Sequence, residues 1–318
     1  MRDDEMEAEH SVEVGHSRTG IYARRQEMDQ AEQLRILKAG QQQPKSLARV
    51  IAVTSGKGGV GKSNTSINLA IQFRKMGKRV IILDADFGLA NIEIMFAAVP
   101  EHNLCDLIYQ GKSIMDIITW GPMEVGFISG GSGIVGMSNL SRDYLNYIIQ
   151  NLVQLDSIAD IIIVDTGAGI SDAVLEFLVA SGEILLVTTP EPTSITDSYS
   201  LVKALYRHPR FSAETMKVKL IANRVEKESE GQILFSKLNA VIERYLKVPM
   251  TYLGYVPEDS QLSKSVMQQV PVSLHNPGAK STAAYERIAA RLLDREEAQR
   301  QPKRGMAAFF SYIITRKR

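Results

Sequence analysis

The sequence predicts an α/β fold, a mostly parallel sheet with helices on both faces and a helical appendage at each end of the chain. Three observations carry this. Short apolar runs without polar alternation recur at 50–53, 79–83, 125–129, 161–164, 184–188, 218–222 and 252–256, the pattern of strands buried on both faces. Segments of helical composition separate most of them, at 64–76 (ending at Gly77), 104–118, 142–155, 171–180, 194–206, 231–246 and 282–300, and such alternation with right-handed crossovers builds a parallel sheet. Between the first run and the first helix, Gly56 to Ser63 reads GKGGVGKS and matches the phosphate-loop pattern G-x-x-x-x-G-K-[ST].

The loop is the most specific signal in the chain. Gly56, Gly58, Gly59 and Gly61 lack a Cβ, so successive backbone N–H groups can turn inward around phosphate oxygens. The Lys62 ammonium and the helix N-terminus add positive potential at the same place, and the Ser63 hydroxyl is suited to Mg²⁺. Gly56, Lys57, Gly58, Gly59, Val60, Gly61, Lys62, Ser63 and Asn64 are therefore the candidate nucleotide-binding residues. In open parallel sheets ligands bind beyond the carboxyl ends of the strands, so chemistry is expected just after each apolar run. Asp165 follows 161–164 in the position of the acid that holds a magnesium ligand water. Asp84-Ala85-Asp86 follows 79–83, and Asn223-Arg224 follows 218–222.

Bulk properties bound the function. The 318 residues, 44% of them apolar, suffice for one substantial core, and about 250 residues is ordinary for a single α/β domain. A formal net charge of +1 argues against a globally basic nucleic-acid binder, and no direct nucleic-acid binding is expected. The single cysteine, Cys105, rules out an intramolecular disulfide and any paired-cysteine cluster, and fits a reducing cytoplasm. The acidic N-terminus lacks the apolar stretch of a signal peptide, and no apolar run reaches the roughly 18 residues needed to span a bilayer.

Lys57, directly after the first glycine, gives the loop a second lysine, and KGGVGKS resembles the deviant Walker A motif, K-G-G-x-G-K-[ST], of the MinD/ParA family of dimerising ATPases. The resemblance runs from Arg49 to about Arg295 and implies a MinD-like P-loop NTPase with ATP and Mg²⁺ as cofactors and an ATP-dependent homodimer. It implies that Lys57 crosses the dimer interface to the partner's phosphates. It also maps the D-x-D pair onto the family's switch I, with Asp86 positioning the attacking water and Asp84 supporting the metal beside Ser63 and Asp165. By the same resemblance Asn223, with Arg224, reads the adenine edge, since an amide donates and accepts at once, and the turn at Pro257-Glu258 packs on the other side of the base. Where the family's cell-division members usually carry Pro after the Walker B acid, this chain has Gly167.

The two ends carry further elements. Residues 1–20 are polar and aperiodic and are expected to be disordered. Residues 21–38 have helical composition, with Ala31, Leu34 and Leu37 at helical spacing, and 39–48 read as a linker into the ATPase domain at 49–300. The element Asp29-Gln30-Ala31-Glu32-Gln33-Leu34-Arg35 resembles the N-terminal activator motif of the FlhG-type (FleN, YlxH) flagellar-number regulators. That resemblance implies an FlhF-type GTPase as partner, stimulated through Asp29, Gln30, Leu34 and Arg35, with flagellar switch components or a flagellar transcription activator as further partners. At 303–318, Met306, Phe309, Phe310, Ile313 and Ile314 share one helical face between flanks holding five basic residues and no acid. Two readings are open, a final helix docked on the core or a membrane-surface anchor. The basic flanks favour the anchor, which sets the expected location at the inner face of the cell membrane, reversibly, on anionic lipid. A chromosome- or plasmid-partition or division-site ATPase is the rival reading. Iron–sulfur carriers, which need paired cysteines, are excluded.

Overall fold

The computed structural model describes residues 47–86, 91–130, 150–294 and 305–314, and for Ile108 and Ile314 the backbone alone. The sheet has eight strands in the order β3-β4-β2-β5-β1-β6-β7-β8. They are β1 Arg49–Thr54, β2 Val80–Ala85, β3 Thr119–Trp120, β4 Gly126–Ser129, β5 Ile161–Thr166, β6 Glu183–Thr188, β7 Lys217–Val225 and β8 Met250–Pro257. The helices are α1 Lys62–Lys75, α2 Asn91–Phe96, α3 Leu104–Gln110, α4 Leu155–Ile158, α5 Asp172–Ser181, α6 Pro192–Arg207, α7 Glu228–Leu246, α8 Ser260–Met267, α9 Val272–His275, α10 Lys280–Leu293 and α11 Gly305–Ile314. Every strand pairing is parallel except β3 with β4.

The unalternating runs have the expected cause. β1, β2, β5 and β6 are buried at every position, because each faces helices on both sides. On one face Ile51 and Val53 meet Ile67, Ile71 and Phe73 of α1 and Tyr285 and Ile288 of α10. On the other, Val50 and Ala52 join Val174, Phe177 and Leu178 of α5, Leu201 of α6, Leu234 and Leu238 of α7, and Met306, Phe309 and Phe310 of α11. Burying a large aliphatic or aromatic side chain is worth roughly 1.5–3 kcal/mol, so these two layers dominate the stability of the sheet.

The structure differs from the expected elements in places. The helix expected over 104–118 ends at Gln110, where Gly111 caps it in the left-handed region, and the chain then returns as the antiparallel edge strand β3. Helices α2, α8 and α9 are not among the expected elements, because each is shorter than the stretch over which helical periodicity becomes readable. The elements expected at 1–20, 21–38 and most of the linker lie outside the described residues, as do 131–149 and 295–304.

Strand order positions the site. β1 lies between β5 and β6, so the chain leaves β1 toward β2 on one side while β5 feeds β6 on the other, and a crevice opens at the carboxyl end of β1. Register sharpens it: Asp165 of β5 is opposite Val53 of β1 and opposite Asp84 of β2.

Candidate nucleotide site

The phosphate loop leaves β1 at Thr54 and enters α1 at Lys62. Gly56 is glycine for a packing reason that its motif does not express: a Cβ there would lie 2.2 Å from the Asp197 carbonyl carbon and 2.5 Å from the Ser198 amide nitrogen, so the loop rests on the backbone of α6. Lys62 is buried, and its ammonium lies 3.9 Å from Asp86 Oδ2. One turn further along α1, Ser66 donates to Asp165 Oδ1 at 2.8 Å.

Three carboxylates converge here. Asp165 is fully buried, and its Oδ2 has no hydrogen-bond partner. Burial pushes its carboxyl above the usual range, against which the Lys62 charge and the Ser63 and Ser66 hydroxyls pull it down. Asp84 is buried too, and desolvation followed by the neighbouring Asp165 charge pushes its carboxyl up to about 7. Its Oδ1 accepts from the Asp86 backbone N–H at 3.0 Å, which fixes the turn that presents Asp86. Asp86 is half-buried, and the Cβ position of Gly167 lies 3.5 Å from its Oδ1. Candidate switch I and the loop after Asp165 therefore meet at Asp86, beside Lys62.

These residues fit a magnesium-bound nucleotide. Among the described residues no group of three or more His, Cys, Asp and Glu side chains is arranged to hold a metal unaided. Mg²⁺ in nucleotide sites takes one or two protein groups and completes its shell with phosphates and water, and a buried unpartnered oxygen on Asp165 beside Ser63 suits that arrangement.

The Asp84 environment predicts a pH dependence. In the unfolded chain this carboxyl titrates near 3.8; folded, it titrates near 7. The folded state binds the extra proton between those values, so the contribution is fully present below about 4 and is lost as pH rises through 7. At about 1.4 kcal/mol per pKa unit the penalty on the ionised form is on the order of a few kcal/mol. Asp84→Asn is therefore expected to raise the melting temperature of the nucleotide-free protein at pH 8 and to flatten the pH 5–8 slope in calorimetry. An unchanged slope would remove Asp84 as its cause.

The base-side residues lie against the loop. Asn223 Nδ2 donates to the Val60 carbonyl at 2.7 Å, and the Cβ position of Gly61 lies 2.3 Å from it, while Oδ1 is buried without a partner. The amide thus divides its two ends, one on the loop and one still able to accept. Arg224, in the left-handed region at φ 56, donates to the Gly59 carbonyl at 2.9 Å. Pro257 sits opposite Val225, and the Glu258 N–H donates to the Val225 carbonyl at 3.0 Å. Asn64 Oδ1 is buried and unpartnered in the first turn of α1.

Lys57 is half-buried, and its ammonium binds Glu191 Oε2 and Thr193 Oγ1, both at 2.8 Å, at the N-terminus of α6. Lys57 holds the Glu191 carboxyl below its usual range. Sequence reasoning missed Glu191, Thr193 and Ser66. A signal for them exists, since Glu191 and Thr193 come shortly after the apolar run 184–188, and Ser66 is one turn beyond Ser63. Beneath them Thr188, Ser194 and Ser198 form a buried hydroxyl chain with links of 3.0 Å that ties the end of β6 to α6.

The C-terminal face expected to meet lipid is packed on the core. Met306, Phe309 and Phe310 are buried, Ile313 is half-buried, and Phe309 stacks on Phe177 of α5 with ring centroids 5.9 Å apart. Asp29, Gln30, Leu34 and Arg35 lie outside the described residues, as does the side chain of Ile314.

Comparison with known proteins bears on the fold and the family. The ParA family model, described as NUBPL iron-transfer P-loop NTPase, matches residues 46–293. The chain is 38% identical over 244 residues to the antiactivator FleN of Pseudomonas aeruginosa, covering 77% of this chain and 86% of that protein. It is 33% identical over 274 residues to the flagellum site-determining protein YlxH of Helicobacter pylori, covering 85% and 91%. Among solved structures, a chain of the MinC:MinD cell division protein complex of Aquifex aeolicus superposes with a TM-score of 0.61 at 22% identity, covering 77% of this chain and 96% of that one. MinD of Pyrococcus horikoshii, complexed with Mg-ADP, superposes with a TM-score of 0.60 at 21% identity, covering 80% and 99%.

Proposed function

This chain belongs to the ParA family of P-loop NTPases and is an ATPase, and from that premise we propose that it is an ATP-switched, membrane-associating dimer that sets flagellar number and placement. The observation that carries the switch is Lys57, whose ammonium reaches the surface, is engaged at the N-terminus of α6 and can be handed to a second copy's phosphates. The flagellar role is supported by the similarity to FleN and YlxH.

The chemistry divides among named residues. Loop amides and Lys62 hold the phosphates. Ser63 and Asp165, with Asp84 beside them, would hold Mg²⁺, which would supply positive charge against the phosphates. Asp86 orients the water that attacks the γ-phosphorus as the bond to ADP breaks, so the protein acts by positioning and electrostatics. Asn223, through its open Oδ1, and Arg224 take the base side, with Pro257-Glu258 opposite.

Light scattering tests the switch. ATP is expected to convert monomer to dimer, and Lys57→Ala is expected to stay monomeric while retaining nucleotide. Flagellar counts in a deletion strain complemented with that variant are expected to match the deletion. A mutant that dimerises normally in ATP, or restores the count, overturns the reading.

Membrane association through α11 requires the helix to leave the core, since its apolar face is buried there. No described helix is long and apolar enough to cross a membrane, which fits peripheral rather than spanning attachment. Each docked aromatic offers only about 1.5–3 kcal/mol, so one helix binds lipid weakly, and two on one dimer act at high effective concentration.

The N-terminal element is proposed to stimulate an FlhF-type GTPase, with Gln30 orienting the attacking water, Leu34 anchoring and Arg35 and Asp29 positioning. A peptide of residues 20–40 is expected to raise that GTPase's turnover, and Gln30→Ala to remove most of the effect with binding intact. A peptide that binds and leaves turnover unchanged reduces the element to a docking segment.

A further inference from the structure

We propose that Asp156 is a clasp coupling the C-terminal helix to the point where the N-terminal segment enters the sheet, so that undocking α11 loosens residues 47–48 and the reverse. Asp156 lies in α4 and is 8% exposed. Its Oδ1 accepts from the Ala48 N–H at 3.2 Å and from the Met306 N–H at 3.0 Å, and its Oδ2 accepts from the same Met306 N–H at 3.1 Å. Ala48 immediately precedes β1, and Met306 stands in the first turn of α11. One carboxylate therefore binds both ends of the described chain.

The chemistry of the contact explains why it couples. An anion at a helix N-terminus is favoured by the helix dipole and by N–H groups without an intrahelical partner. Burial works the other way and raises the Asp156 carboxyl, which the Met306 and Ala48 N–H groups partly offset. If Met306 leaves, the carboxylate loses the bonds that orient it and regains water, and the Ala48 bond loses its fixed acceptor. Gly305 adds a steric link: at φ 61 its Cβ position lies 2.8 Å from Asp156 Oδ2 and 3.0 Å from Leu47 Cδ2. Gly305 therefore lies against both Asp156 and Leu47, and α11 cannot shift at its start without opening space beside Leu47.

The far end of α11 is held by different groups. Arg210 donates to the Tyr312 carbonyl, its guanidinium lies 4.6 Å from the Tyr312 ring centroid, and it is ion-paired with Glu176. The helix can thus be loosened there without touching the clasp. Coupling between two sites is reciprocal, so a partner that pulls on the N-terminal segment favours helix release to the same degree. That consequence rests on the proposed membrane and GTPase roles; the coupling does not.

Hydrogen exchange of the full-length protein, resolved by mass spectrometry, tests it without membrane or partner. Phe309→Ala and, as a milder variant, Arg210→Ala act on α11 away from Asp156. Each is expected to speed exchange at Ala48 by at least about fivefold, the lower end of ordinary site-to-site coupling, while β5 and β6 keep wild-type protection. Asp156→Asn, which retains one oxygen acceptor, should speed Ala48 and Met306 together, and Asp156→Ala more so. Gly305→Ala, which crowds Asp156 and Leu47 without removing the charge, should do the same. Acceleration confined to α11 with Ala48 at wild-type protection overturns the coupling, as does equal loss of protection in β5 and β6. If Ala48 responds as expected but ATP-loaded protein does not sediment with anionic vesicles, the clasp stands and the membrane role fails.

Discussion

Asp86→Ala is expected to lower ATP turnover on the order of 10²-fold or more while nucleotide binding survives. Asp86 sits at the end of the turn leaving β2, half-buried, with its carboxylate 3.9 Å from the Lys62 ammonium and next to Gly167. Removing it leaves the loop amides, Lys62 and Asp165 in place, so phosphate affinity persists and water positioning is lost. The variant should accumulate as an ATP-bound dimer, seen by light scattering alongside a phosphate-release assay. Wild-type turnover would move the role elsewhere. The same loss from Asp84→Asn with Asp86 intact and Asp86→Ala active would reverse the assignment within the pair.

Gly56→Ala is expected to abolish measurable nucleotide binding and to lower the melting temperature by many degrees. The added methyl would stand 2.2 Å from one backbone carbon and 2.3 Å from the oxygen bonded to it, both of Asp197. Neither is the flexible end of a side chain, so α6 or the loop must move bodily. Overpacking of this kind costs about 1–3 kcal/mol or more. The movement also shifts Thr193 and Glu191, which hold Lys57. Isothermal titration with ATP and a thermal melt check both parts. By comparison Gly58→Ala, whose Cβ would meet nothing within 4 Å, is expected to keep the stability of the parent. A Gly56→Ala protein that binds ATP normally would show that the α6 contact has no part in shaping the loop.

Both predictions begin from residues legible in the chain and end on contacts that are not. The loop is readable because its requirement is local: glycines, lysine and serine at fixed spacing between an apolar run and a helix. The strands are readable for the same reason, since β1, β2, β5 and β6 are buried on both faces and carry no polar alternation. Asp84, Asp86 and Asp165 stand directly at the ends of such runs, where a parallel sheet binds its ligands. Glu191 and Thr193 also stand beyond the end of a strand, yet their role appears only once β6 lies beside β1 and brings them to Lys57.

The sequence by itself determined the α/β class, the phosphate loop and the carboxylates at the strand ends, because those depend on spacing along one chain segment. Tertiary structure alone decided that Asp84 and Asp165 stand opposite each other, so that one raises the other's proton affinity. It also decided that Gly56 lies on α6 and that Asn223 braces the loop, since these contacts join residues far apart in the chain. The final helix shows the division most clearly. Its apolar face at Met306, Phe309 and Phe310 follows from periodicity, but periodicity records that a face seeks an apolar surface and not which one. Packing against Phe177, with Asp156 at its first turn, supplies that surface in this structure, because an amphipathic helix buries its face on whatever apolar neighbour the fold brings within reach.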